Sequence, residues 1–444
     1  MDRRDFLKSS AAIAASVAAQ GVAQAAPRRD AAADLGNKAE AGALIGSAPL
    51  LENYAENSMG VAFAVNDMAN GYVIYGKQPD LSDGVKVWCG GYRVTDMNDS
   101  VMLVRLTGLE SATKYYYRIG ADRISYKGAY KMKITGNEED PTIHSFTTAG
   151  KGSAAHFAVI NDTHTHWDVV DAATKKIAEI APSCVIWNGD VASTQETVEI
   201  QKETFFTPQI DLKDYGADIP YLYCPGNHDH RGAAARHLEK AWMYRQNEER
   251  SSRDWDLGRN FAVRMGEVAM IGLDTAEDKL DTNPIFANLF NSGAYREAQT
   301  EWLRNALQRK EIKSAPYLVA FCHIPLFDPR PDANPGDIAP DDANPRYRNA
   351  YAAWQRTCAN MWGPLLSKAG CQLLITGHQH KFRYDEPAGD RRWAQIVGGG
   401  PSLESAKGFA TVIEGKVSDG RLEVSVHNLK TGEIQQTFSY RPRR

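Results

Sequence analysis

Apolar residues change rhythm along the chain near residue 150, and the change predicts two kinds of architecture. Between about residues 60 and 148, short runs rich in β-branched and aromatic residues recur at 61–65, 71–75, 101–106, 115–119 and 144–148, separated by glycines and polar residues. Short runs with frequent turn punctuation are the mark of half-buried strands. An all-β sandwich is therefore expected over residues 56–149. After a Gly-Lys-Gly-Ser segment at 150–153, apolar runs at 156–160, 184–187, 221–224, 317–322 and 372–376 alternate with longer amphipathic stretches such as 169–180. Strands buried on both faces read as continuous apolar runs, and their interleaving with helices predicts an α/β layer fold for 154–444. Four further runs at 394–397, 409–414, 422–427 and 435–440 are expected to complete a second sheet packed against the first. The expected whole is α/β in class, a two-sheet α/β sandwich preceded by an all-β domain.

The first forty residues follow neither rhythm. Arg3-Arg4-Asp5-Phe6-Leu7-Lys8 precedes an Ala- and Ser-rich run at 11–19, and Ala23-Gln24-Ala25 follows. A basic start, a short apolar run and small residues at a cleavage site are the features of an export signal, and the arginine pair addresses it to the twin-arginine translocation machinery. The run is interrupted by Gln20 and falls short of the roughly 20 apolar residues that span a bilayer. Residues 1–26 are thus expected to be a removed signal and 27–55 a leader, disordered in part. The mature protein is expected in the periplasm or outside the cell, without stable membrane insertion.

Composition narrows the function. With 43% hydrophobic and 24% charged residues over 444 positions the chain is globular, and a formal net charge of −4 provides no basic excess. Nucleic-acid binding and nuclease activity are disfavoured, since phosphate-backbone affinity rests on accumulated Lys and Arg. None of the six cysteines, Cys89, Cys184, Cys224, Cys322, Cys358 and Cys371, forms a Cys-x-x-Cys pair, which argues against a cysteine zinc site. Cys184, Cys224 and Cys322 lie in apolar runs and read as core thiols.

The chemistry sits at the ends of the predicted strands. Run 156–160 leads into Asn161-Asp162-Thr163-His164, and 184–187 into Asn188-Gly189-Asp190. Run 221–224 leads into Pro225-Gly226-Asn227-His228-Asp229, 317–322 into His323, and 372–376 into Gly377-His378-Gln379-His380. In open α/β sheets, ligands bind beyond the carboxyl ends of the strands, so these clusters are expected on one rim. A single His after a strand is more often structural than a ligand. Together the clusters offer seven oxygen and nitrogen donors, Asp162, His164, Asp190, Asn227, His323, His378 and His380, suited to Zn, Mn or Fe.

This ordered set resembles the calcineurin-like metallophosphoesterase superfamily over roughly residues 156–400. The resemblance implies two transition-metal ions, one held by Asp162, His164, Asp190 and His380, the other by Asp190, Asn227, His323 and His378, with Asp190 bridging. It also implies hydrolysis of a phosphomonoester or phosphodiester, a small substrate, by water activated between the ions. His228 would protonate the leaving oxygen, and Asp229 would orient it or support the ligands. Leu106-Thr107-Gly108-Leu109 with the run 113–118 resembles the fibronectin type III-like domain that precedes purple acid phosphatases. The metal motifs depart from those enzymes. Ser193 stands where they carry a tyrosine three residues after the bridging Asp, and His164 is additional, as in cyclic-nucleotide and glycerophosphodiester phosphodiesterases of the wider superfamily. The alternative is a catalytically silent exported binding protein on the same scaffold, which loss of any one donor would signal.

Other residues fit weaker roles. His166, Trp167, His230 and Arg231 flank the motifs and either meet substrate or face water. The Pro- and Asp-rich stretch 327–348 has the character of a cover over the site. Gly398-Gly399-Gly400 lacks the Lys-Ser/Thr of a nucleotide-binding loop and reads as a turn beside the site. Replacing Arg3 and Arg4 together by Lys should leave the precursor in the cytoplasm, as fractionation and immunoblotting would show; unchanged periplasmic product would defeat the export reading.

Overall fold

The first eight strands are β1 (Leu50–Glu52), β2 (Ser58–Ala64), β3 (Ala69–Gly76), β4 (Val85–Trp88), β5 (Val101–Thr107), β6 (Lys114–Tyr126), β7 (Met132–Glu139) and β8 (His144–Thr147). They belong to a computed structural model that describes residues 42–89, 100–128, 130–206, 214–244, 257–281, 289–329, 345–406 and 408–443. The export signal and most of the expected leader lie outside the described residues, as does 330–344 of the expected cover. Strands β1, β2 and β5 are hydrogen-bonded neighbours, and β4-β3-β6-β7 form a second sheet with β8 on β6. Period-two alternation holds the two together: Tyr115, Tyr117 and Ile119 of β6 are buried in one core with Val61 and Phe63 of β2 and Val104 of β5.

Two boundaries differ from expectation. Strand β1 lies inside the stretch 27–55 read as leader, yet Leu50 and Leu51 are buried and paired with Ala62 and Val61. Three residues are too few to show a strand period, which is why the pattern missed it. Glu52 pairs in parallel with Tyr221, so the sheet of the β-rich part continues into the α/β part and no break separates them at 150–153. Strands β4 and β7 escaped notice because their side chains are largely exposed.

The remainder runs β9 (His156–Ile160), α1 (Trp167–Ile180), β10 (Cys184–Trp187), α2 (Val198–Phe206), β11 (Tyr221–Tyr223), β12 (Phe261–Met265), β13 (Val268–Leu273), α3 (Ser292–Ala306), α4 (Lys310–Lys313), β14 (Tyr317–Cys322), α5 (Pro345–Ala369), β15 (Leu373–Thr376), β16 (Arg383–Asp385), β17 (Ala394–Val397), β18 (Thr411–Ser418), β19 (Arg421–Asn428) and β20 (Ile434–Tyr440). One nine-stranded sheet has the order β20-β19-β18-β9-β10-β11-β1-β2-β5, and a six-stranded sheet the order β12-β13-β14-β15-β17-β16. Only the run that became β17 joined the second sheet. The last three strands instead extend the first, β18 pairing antiparallel with β9, because short hairpins carry each strand to its neighbour and nothing in their composition distinguishes the two sheets.

The sheets face each other across Phe157, Val159, Ile186 and Leu222 on one side and Val319, Phe321, Leu373 and Ile375 on the other, with Phe157 edge-on to Phe321 at 5.8 Å between ring centroids. The outer face of the first sheet packs Ala158, Val185 and Trp187 against Ala173 and Ile177 of α1 and Phe205 of α2. Helix α1 buries Val169, Val170, Ala173, Thr174 and Ile177, a stripe at helical spacing, and stops where Ala181 turns left-handed and donates its N–H to Ile177. Leu318, Ala320 and Leu374 on the outer face of the second sheet pack against Leu303 of α3 and Trp362 of α5. All five strands whose ends carry the polar clusters are thus buried on both faces, giving those ends little freedom. No described helix is long and apolar enough to cross a membrane.

Candidate metal centre

Loops leaving the carboxyl ends of β9, β10, β11, β14 and β15 meet at one rim, and they hold one another through the backbone. Asp162 N–H donates to Gly189 O at 3.0 Å, His164 N–H to Asp190 O at 2.9 Å, and Gly377 N–H to His323 O at 2.8 Å. Asn188 Nδ2 donates to Cys322 O and Ile375 O, tying the two sheets beneath the rim. To make these turns, Asp162, His164, Asp190, His378 and His380 all adopt left-handed backbone with φ between 47° and 69°. Such conformations cost about 1–3 kcal/mol each for residues with a Cβ and gather at functional sites. Close approach explains two glycines. A Cβ at Gly226 would sit 2.3 Å from Asp190 Oδ1, and one at Gly377 would sit 2.4 Å from Asp162 Oδ2.

Six of the seven donors fall into two groups that share Asp190. Asp162, His164, Asp190 and His380 each present a ligand atom within 4.8 Å of the others, and so do Asp190, His323 and His378. The seventh joins through a contact, because Asn227 Oδ1 lies 2.9 Å from His378 Nδ1. Asp162, Asp190 and His323 are fully or almost fully buried, while His378 and His380 are part-exposed at the mouth.

The donor chemistry fits cations. Nε2 of His323 is buried without a hydrogen bond of good geometry, although Asp190 Oδ2 lies 3.0 Å away; a ligand nitrogen aimed into a site has this character. His323 Nδ1 donates to Asn188 O at 2.8 Å, which leaves Nε2 as the ligand atom. Burial works to raise both carboxyls. The His323 charge outweighs it, holding Asp162 down at about 2 and Asp190 well below the usual range. Burial likewise opposes charge on His323, but Asp190 and Asp162 prevail and lift it to about 10. Burial depresses His164 to about 4 and His378 to about 3, so both stay neutral and able to coordinate.

His228 and Asp229 take different positions. The His228 ring stands 4.8 Å from that of His164, edge-on, and its Nδ1 lies 2.7 Å from Ser193 O. A carbonyl only accepts, so Nδ1 carries the proton. The residue at the tyrosine position thus acts here through its backbone. Asp229 does not reach His228, contrary to one of its two expected roles. Its buried carboxylate accepts from the N–H groups of Asp190 at 2.8 Å, Gly226 at 2.8 Å and Val191 at 3.2 Å. It braces the loop carrying the shared ligand. His230 Nε2 faces Asp274 at 2.9 Å and Arg259 lies on its Nδ1 side, a wall rather than a ligand. His166 precedes α1 without capping it through its side chain. Gly400 packs against Asp162, as expected for a turn beside the site. Sequence patterns did not point to the loop after β13, where Asp278 lies 3.9 Å from His378 while Asp274 holds His230 and Glu277 holds Arg231, because no motif residue marks it. All six cysteines are unpaired, and all but Cys89 are buried.

A model of the calcineurin-like phosphoesterase family matches residues 155–382. No curated protein matches the chain in sequence. Among solved structures, a purple acid phosphatase from yellow lupin (Lupinus luteus) seeds is similar with a TM-score of 0.60 at 12% identity, covering 89% of this chain and 75% of that one. PhoD is similar with a TM-score of 0.61 at 14% identity, covering 90% of this chain and 92% of that one. At such identities the likeness is one of fold, and it extends over the N-terminal β region.

A cation entering the second group must displace the proton that Asp190 and Asp162 hold on His323 up to about 10. Metal affinity of the apoprotein should therefore weaken as pH falls from 9 to 6, by about tenfold per unit for one displaced proton. Competition titrations against a chelator of known affinity would measure it, and affinity independent of pH would refute the ligand role of His323.

Proposed function

The chain belongs to the calcineurin-like phosphoesterase family, and on that premise we propose that it hydrolyses small phosphate esters, mono- or diesters, at a binuclear transition-metal centre. The observation that carries this reading is the sharing of Asp190 between two donor groups, since one carboxylate has lone pairs enough for two cations. Asp162, His164, Asp190 and His380 would hold one ion and Asp190, Asn227, His323 and His378 the other, with Fe, Mn or Zn suited to such donors. Bound there, the ions would neutralise phosphoryl charge and lower the pKa of water.

The chain's own groups do the rest. Asp229 and the crossed loop backbones hold the ligands before any ion arrives. Ser193 O orients the His228 ring so that Nε2, the nitrogen able to give a proton to a leaving oxygen, turns away from the backbone. Imidazole suits that transfer because its ordinary pKa is near neutrality. The absence of a basic excess favours a small substrate over a polynucleotide. Export by the twin-arginine pathway, which carries folded proteins, suits an enzyme that takes its metals before crossing.

Metal analysis of protein loaded with Mn or Zn should give about two ions per chain with turnover of phosphate esters. Asp190→Ala should lose both ions and the activity together; wild-type-like turnover in that variant would refute the shared-ligand reading. His228→Ala should keep its metals and lose about 10²–10⁴-fold on alkyl phosphate esters, whose leaving group needs a proton, and much less on nitrophenyl esters. Equal losses on both would remove the proton-donor role.

A further inference from the structure

We infer that Arg231 grips a phosphoryl oxygen of the substrate beside His228, presented for that task by Glu277 and Asp278 of the loop after β13. The inference rests on the phosphoesterase reading above and adds to it a residue that binds the reacting group. Arg231 follows the short 3-10 turn His228–His230 and donates its own N–H to His228 O at 3.2 Å. Its Nε donates to Glu277 Oε2 at 2.8 Å, and its Nη2 is shared between Glu277 Oε1 and Asp278 Oδ1, the latter at 3.1 Å. Those bonds occupy one edge of the guanidinium. The remaining nitrogen, Nη1, turns to His228 Nε2 at 3.3 Å.

Position makes this more than an ion pair. The His228 ring lies against His164, a donor of the first group, and Asp278 Oδ2 lies 3.9 Å from His378 Nε2, a donor of the second. The guanidinium therefore stands beside both halves of the centre, and 28% of its side chain is exposed toward solvent while Glu277 beneath it is 7% exposed. Glu277 is itself held: its carbonyl accepts from Arg296 Nη2 at 3.0 Å, and Arg296, which is buried in α3, also donates to Ser292 Oγ. A planar fork fixed at two of its nitrogens by carboxylate presents the third in a set direction, which a lysine ammonium cannot reproduce.

His228 Nδ1 carries the proton bonded to Ser193 O, so Nη1 of Arg231 donates to Nε2 of the neutral ring. A phosphoryl oxygen entering beside Nη1 accepts from it, exchanging the Arg–His contact for a charge-assisted hydrogen bond. No bond to carbon, nitrogen or phosphorus is made or broken by Arg231. Glu277 acts through Arg231 and is a positioning residue.

Inorganic phosphate is the probe, with binding to the metal-loaded full chain followed by calorimetry and by inhibition of ester hydrolysis. Arg231→Ala should weaken phosphate binding and raise KM by about 10–100-fold, the range for one lost bond to a charged group, while metal content stays at the wild-type value. Arg231→Lys should recover only part, and Glu277→Gln should shift phosphate affinity in the same direction by less. If wild-type protein turns over esters and phosphate binds Arg231→Ala or Arg231→Lys as well as wild type, the inference falls and the phosphoesterase reading stands. If phosphate binds in an Arg231-dependent way but no ester is hydrolysed, the reaction reading falls and the anion contact stands. Wild-type protein that neither binds phosphate nor hydrolyses esters overturns both.

Discussion

Two carboxylates, Asp162 and Asp190, are buried together with His323 close to both, at 3.7 Å and 3.0 Å between the nearest nitrogen and oxygen atoms. Burying one charge is costly unless it is paired, and burying two of like sign in one pocket is costlier still. The rest of the rim follows from that constraint. Positive charge must enter, either as a proton held on His323 or as cations, and the surrounding side chains are those able to share a cation: neutral imidazoles and the amide oxygen of Asn227. A rim of this composition would be a poor device for stability alone, because apolar side chains would fill the space at lower cost.

The scaffold absorbs the strain that the constraint creates. Five donors sit in left-handed backbone, yet each loop is short and grows from a strand buried on both faces. The N–H groups of Asp162, His164, Asp190 and His378 all donate to neighbouring loops. Asp229 completes this arrangement with three backbone N–H donors around one carboxylate. These side chains are thereby held by short loops, sheet packing and crossed hydrogen bonds, so the cost of their conformations is spread over the folding of both sheets.

The polar residues gathered at the rim were legible in the sequence because each follows an apolar strand directly, and a strand period and a polar terminus can both be read locally. The same locality explains what could not be read. Strand β1 has three residues, β4 and β7 expose their side chains, and β18 to β20 carry no mark of which sheet they join. Asp229 lies within a motif but turns to the loop carrying Asp190, a direction that adjacency does not encode. Glu277 and Asp278 meet Arg231 across 46 and 47 positions of chain, and two acidic residues in a loop resemble any solvated surface until the fold brings a partner.

The six residues from Gly226 to Arg231 show how a single turn can divide its work. In a 3-10 turn, side chains three apart fall on the same side, which sets His228 and Arg231 together toward the mouth of the site. Asp229, one step along, points inward to the backbone of the Asp190 loop, and His230 turns to Asp274. Asn227, just before the turn, reaches His378, and Gly226 lets the chain pass against Asp190 and His323. An α-helical continuation would rotate Arg231 by about 60° relative to His228 and leave its guanidinium away from the imidazole. The tight turn thus shapes the site directly: it aligns the His228 imidazole with the Arg231 guanidinium while the intervening Asp229 carboxylate holds the backbone of the Asp190 loop.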